Sequence, residues 1–223
     1  MTQQRHTTVR AEIVLDVICV HSYLGYTRFA RAAERLRATG VQVEVDFLPF
    51  ELAPGAGTVG APLLEVLERT FGPQAVAGIV QLAESAKQDG LDLHYERAVA
   101  TGTFEAHQLI ARAAAQGRAE QMVERLFRAH FTDGLHIGDA GTLAELAAEA
   151  GVRTAAAADT AEAGATSGPG AEELRARLDE VRRRGITSVP VFFIDGLPPL
   201  TGSQSESALF AALSNAAGAT PAS

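Results

Sequence analysis

The stretch EIVLDVICVHSYLGYTRFARAAERL, residues 12–36, decides the fold. Its first seven residues (12–18) are an apolar, β-branched run of strand length. From Ser22 the period changes: Leu24, Phe29, Ala32, Ala33 and Leu36 recur at helical spacing, and Gly40 follows as a stop. Cys19, the only cysteine in the chain, sits at the junction between the two patterns.

The next segment, VQVEVDFLPF (41–50), alternates with period two and puts Val41, Val43, Val45 and Phe47 on one face, ending at Pro49. Strand, helix and strand in so short a span predict a βαβ unit with a parallel pair. After it, APGAGTVG (53–60) reads as a flexible connection. Helices are expected over 61–71 and 73–89, separated by Gly72-Pro73, and over 104–116 and 118–133, with no strand among them. Asp139 or Thr142 is placed to cap a further helix running to about Ala150. Residues 154–170 are small and polar, suiting either a surface loop or a weak helix. A strong helix is expected over 171–185, a buried strand over VPVFFIDG (189–196), a short second strand or loop at PPLTGSQ (198–204), and a final helix capped by Ser205 or Ser207. The order β-α-β, helical block, α-β-β-α predicts an α/β protein: a thioredoxin fold with an inserted all-helical domain. On this reading residues 1–58 and 170–223 form the thioredoxin-fold domain and 59–169 the insertion.

Composition narrows the function. The 223 residues are 47% hydrophobic and 21% charged, as expected of a globular protein able to bury a large core. A net charge of -8 argues against a nucleic-acid partner. No apolar run is long enough to span a membrane, and the polar N-terminus lacks a secretory h-region. With one cysteine there is no internal disulfide to require an oxidising compartment, so a cytoplasmic location is expected. The six histidines are scattered, with no metal-ligand spacing, so no metal is expected.

A lone cysteine is most often a small buried hydrophobe. The position of Cys19 gives it a second reading, because a sulfur between a strand and a helix lies near unpaired N–H groups and the positive end of the helix dipole. Such placement lowers a thiol pKa. Ser22 suits either a helix cap or a hydroxyl donor to the thiolate, and His21 either a solvated turn residue or a general acid. Far away in sequence, Pro190 opens the later strand run, where a proline marks an edge or a special turn. In a thioredoxin fold this is the place of a cis-proline facing the cysteine, with the backbone of Val189 free to hold a ligand.

The segments DVICVHSYLGYTRF, VEVDFLPFEL, FEAHQLIARAAAQG, LFRAHFTDGLHIGDAGTLAELAAEAG, RRRGITSVPVFFIDG and LTGSQSESALFAAL run nearly end to end. In order and spacing the chain resembles the DsbA-like superfamily, in particular its FrnE-like branch, grouped with 2-hydroxychromene-2-carboxylate isomerases and kappa-class glutathione transferases. The resemblance implies that Val189-Pro190 is the cis-proline position, that His107 lines the cleft together with Pro49 and Phe50, and that the chain forms a homodimer. It also exposes departures. Redox relatives carry C-x-x-C, whereas Ser22 occupies the second position here. The isomerase and transferase relatives have serine at the first position and use glutathione, whereas this chain has Cys19. Ala53 stands where relatives often have asparagine.

Without a second thiol, Cys19 cannot rapidly resolve a mixed disulfide on its own. The leading expectation is therefore a thiol-dependent isomerase acting on a conjugated double bond, with Cys19 as nucleophile, Ser22 and the helix N-terminus stabilising it, and His21 or His107 moving a proton. Its partner would be a small-molecule, polyketide-type substrate, free or bound to a carrier protein, and no cofactor is required. The alternatives are a monothiol oxidoreductase resolved by glutathione, mycothiol or a protein thiol, and a non-catalytic binding protein.

Overall fold

The computed structural model describes residues 7–154 and 170–219. The loop or weak helix expected over 154–170 lies almost wholly outside them.

The first strand, β1 (Thr8–Leu15), is followed by helix α1 (Val20–Arg37) and strand β2 (Gln42–Pro49). β1 and β2 pair in parallel from Thr8 opposite Gln42 to Leu15 opposite Pro49. Residues 8–11, polar enough to be missed by periodicity, are strand because β2 gives their backbone a partner. The strand then ends earlier than expected: the Cys19 amide donates to the Asp16 carbonyl at 3.0 Å, closing a tight turn ahead of α1.

The middle of the chain carries β3 (Ala61–Pro62), α2 (Leu63–Phe71), α3 (Pro73–Ala86), β4 (Val99–Ala100), α4 (Phe104–Ala114), α5 (Ala119–Arg128) and α6 (Ala140–Glu149). The expectation of a block without strands is corrected here. Ala61 pairs with Ala100 and Pro62 with Val99, an antiparallel ladder too short to leave a period-two signature. A second correction is at α5, which does not run on as α-helix to residue 133 but changes to a π-helical turn over Ala129–Asp133. Asp139, rather than Thr142, caps α6, accepting the Thr142 amide at 2.8 Å.

The closing segments are α7 (Ala171–Arg183), β5 (Val191–Ile194), β6 (Leu200–Thr201) and α8 (Glu206–Ala219), the last with its Ala208 amide donating to Ser205 Oγ. They complete a sheet of order β2-β1-β5-β6, in which β5 is antiparallel to both β1 and β6.

Period two divides β1 between the two faces of this sheet. Val9, Ala11, Ile13 and Leu15 join Phe29 and Ala32 of α1, Leu209 and Leu213 of α8, and Leu109, Phe127 and Leu146 of the helical block in one buried cluster. Val14, facing the other way, joins Leu48, Val191 and Val181 of α7 in a smaller cluster that also contains Cys19. α1 lies so close to β5 that a Cβ on Gly25 would come within 2.9 Å of Pro190 Cγ and 3.2 Å of Phe192 Cζ. Arg28, one turn further along α1, fixes the same helix to two other segments. It forms a bidentate pair with Asp89 at 2.7 Å and also donates to the carbonyls of Ser203 and Gln204.

Candidate active site

Cys19 is the N-cap residue of α1, in extended conformation. Its side chain is 8% exposed and packs among Val14, Leu48, Phe50, Val181, Val189 and Val191. The thiol donates to the Val189 carbonyl at 3.7 Å, and the Val189-Pro190 bond is cis. Cys19 and Val189, separated by 170 residues in sequence, thus meet in the fold.

The expected drop in the thiol pKa is corrected by the structure. Burial pushes the Cys19 thiol up, and the negative charge of Asp16 pushes the same way. The Ser22 hydroxyl and the backbone of Ser22 and His21 act in the anticipated direction but do not outweigh desolvation.

The other anticipated residues are placed as follows. Ser22 is fully buried, its hydroxyl acts on the thiol without a formed hydrogen bond, and it does not cap the helix. His21 lies on the exposed first turn of α1. His107 is buried in α4, where its Nε2–H donates to the Phe50 carbonyl at 2.9 Å and lies 3.5 Å from Asp16 Oδ1. Phe50 packs in the same cluster as Cys19, whereas Pro49 borders a small hollow with His107.

Three residues that the sequence reading did not single out complete the setting. Asp16, fully buried, accepts the Leu52 amide through Oδ2 at 2.7 Å, while Oδ1 has no hydrogen bond. Tyr95 has a buried hydroxyl without a partner, and burial together with the Cys19 charge raises its pKa. His130, on the π-helical turn, is fully buried with neither ring nitrogen bonded, and burial pushes its pKa down to about 4. Among the described residues, every buried side-chain polar atom without a partner belongs to Asp16, Ser22, Tyr95 or His130. Buried polar groups are normally satisfied, so this concentration around Cys19 and Asp16 marks a site rather than a packing accident. Two of the three left traces in the sequence. Asp16 is an acid at the end of an apolar strand, and His130 follows Leu126 by four residues, continuing the apolar face of α5 into the π-helical turn.

A groove of about 710 Å³ opens between the loop after β2, α2 and His130, with Ile18, the residue before Cys19, on its wall. Its walls include Ile18, Leu52, Ala53, Leu63 and Leu67, with no charged side chain. Ala53, the departure from the asparagine of relatives, therefore adds to an apolar wall. Cys19, which follows Ile18 in the chain, and Pro190 are not themselves lining residues.

A strand-to-helix cysteine facing a cis-proline on a four-stranded sheet defines a thioredoxin-like thiol protein. Residues 11–214 match the DSBA-like thioredoxin domain, and the chain belongs to that family. A solved structure of a probable DsbA oxidoreductase from Streptomyces coelicolor is 31% identical, with a TM-score of 0.80 over 96% of this chain and 93% of that one. The cytosolic disulfide reductase DsbM from Pseudomonas aeruginosa is 24% identical, with a TM-score of 0.55 over 94% of this chain and 95% of its own. A 2-hydroxychromene-2-carboxylate isomerase is 18% identical, with a TM-score of 0.62 over 94% of each chain. These two share the fold. A comparison with curated proteins finds no match. The chain thus has the fold common to DsbA-like oxidoreductases and isomerases, and among its described residues no helix is long and apolar enough to cross a membrane.

Proposed function

We propose that the chain is a single-thiol isomerase that moves a conjugated double bond of a small carbonyl substrate between its two geometries by reversible addition of Cys19. The observation that carries this reading is a lone buried thiol with no second cysteine to resolve a mixed disulfide, in a chain whose uncharged groove is lined by its sequence neighbour Ile18. In the first half of the cycle the Cys19 proton passes to Oδ1 of Asp16, the carboxylate oxygen without a hydrogen bond, as sulfur bonds to the β-carbon, and the electron pair moves onto the carbonyl oxygen as an enolate. The former double bond is now single and rotates. The enolate then collapses, the C–S bond breaks, and sulfur recovers its proton, so no oxidant or reductant is consumed. Ser22 donates to the sulfur while it carries charge. The substrate enters free or held on a carrier protein, and neither glutathione nor mycothiol is needed. A reduced thiol of this kind suits the cytoplasm.

A second reading, a monothiol oxidoreductase resolved by an external thiol, is favoured by the Val189 carbonyl beside the sulfur, where an extended disulfide partner would pair. Conversion of cis- to trans-chalcone, followed by absorbance, and insulin reduction separate the two. The isomerase reading expects chalcone turnover to fall about 10³-fold or more in Cys19→Ser. It also expects insulin reduction to appear only in Ser22→Cys. A native chain that reduces insulin as fast as Ser22→Cys and leaves chalcone untouched establishes the second reading instead.

A further inference from the structure

We propose that the groove lined by Ile18 and His130 takes an uncharged, largely hydrocarbon carbonyl compound whose oxygen accepts a hydrogen bond from His130. This deepens the isomerase reading and rests on it for the identity of the reacting group. His130 is fully buried, forms part of the groove wall, and has two ring nitrogens without partners. With its pKa held near 4 by burial the ring is neutral, presenting one N–H donor and one acceptor. The polar atoms nearby are otherwise engaged or peripheral: Thr101 Oγ1 lies 3.2 Å from His136 Nε2, and Thr70 is exposed on α2.

The remaining walls are apolar and lack Lys, Arg, Asp and Glu. A carboxylate, phosphate or ammonium entering here would be stripped of water with nothing to pair it. That chemistry disfavours glutathione and favours a neutral molecule with one polar atom. The volume, about 710 Å³, is that of a small-molecule site.

The wall is also built to a fixed position. The Gly102 amide donates to the Gly57 carbonyl at 3.0 Å, and a Cβ on Gly102 would lie 2.3 Å from the Ala56 carbonyl oxygen, so the loop after β2 is seated directly on backbone. Leu52, Val59 and Phe71, among the most exposed large apolar residues described, all belong to this groove. A carbonyl held at His130 would have its developing enolate charge met by the imidazole N–H while the double bond extends toward Ile18.

The test uses fluorescence titration of the full chain carrying Cys19→Ser, which removes the thiol chemistry. The probes are 6-propionyl-2-dimethylaminonaphthalene, a neutral ketone, and 2-dimethylaminonaphthalene, which lacks the carbonyl. The ketone is expected to bind about tenfold more tightly, the worth of one buried hydrogen bond. His130→Phe should bring the two affinities together by weakening the ketone alone, and Leu67→Trp should block both probes. Equal affinities in the His130 protein overturn the proposal, as does an unchanged preference in His130→Phe or displacement of the ketone by glutathione. Should His130→Phe fail to fold, the ratio of the two probes and the Leu67→Trp result still decide. Ketone binding that depends on His130, without chalcone turnover in the native chain, sinks the isomerase reading and leaves this site standing.

Discussion

At Cys19 the backbone amides of α1 and the Ser22 hydroxyl favour the thiolate, while the surrounding Val14, Phe50, Val181 and Val191 and the Asp16 carboxylate favour the thiol. The second group prevails, so the nucleophile rests protonated and Asp16 has a proton to receive. Because alkylation proceeds through the thiolate, its rate should still be climbing above pH 9, beyond the ordinary thiol value of 9.0. Neutralising Asp16 removes a charge that opposes ionisation, so Asp16→Asn should lower the pKa and speed iodoacetamide alkylation at pH 7.5 by about three- to tenfold. A slower Asp16→Asn reaction would show that the carboxylate supports the thiolate. At this scale the sequence was readable where chemistry coincides with punctuation, as at the junction cysteine and at the proline in a strand run. The direction of the pKa shift was not readable, because it depends on which side chains from β2, α7 and β5 close over the sulfur. Tyr95 was silent for the same reason.

Among the elements, the long ones followed from their periods: α1, α7, β1 with β2, and β5 lie within a few residues of expectation. Those that were missed owe their form to partners. Residues 8–11 are strand because of β2, the β3–β4 ladder has two residues a side, and the π-helical turn needs one extra residue at the end of α5. The crossing of α1 over β5 allows a matched pair of substitutions. Alanine favours a helix over glycine by about 1 kcal/mol. At Gly25 the new methyl meets the rigid Pro190 ring at 2.9 Å, and overpacking of this kind costs roughly 1–3 kcal/mol. At Gly78 of α3 it meets nothing within 4 Å. Urea denaturation should therefore show Gly25→Ala destabilised by about 1 kcal/mol and Gly78→Ala stabilised by about 0.5–1 kcal/mol. Equal effects at the two sites would mean that α1 can shift away from Pro190 at little cost.

Across the whole molecule one buried cluster links the sheet to the helical block, so the charge state of a single inner group bears on global stability. His130 is held neutral in the fold, its pKa pushed from the ordinary 6.5 to about 4, whereas the unfolded chain binds the proton near 6.5. Between those values the unfolded state carries more protons. The contribution of His130 is thus intact above 6.5 and is lost as pH falls toward 4. At about 1.4 kcal/mol per pH unit, denaturation at pH 4.5 should show about 2–3 kcal/mol less stability than at pH 7 from this group. That part of the pH dependence should be missing from a folded His130→Phe chain.

The sheet order has a further consequence, for the chain as it is made. β1 is central, yet its neighbour β5 is encoded some 180 positions later, and Cys19 meets the Val189 carbonyl across a separation of 170 residues. Until that last segment leaves the ribosome, the thiol has its helix but not its cover, and one side of β1 has no partner. The reactive group is therefore among the first parts of the site to be synthesised, and its protection is among the last.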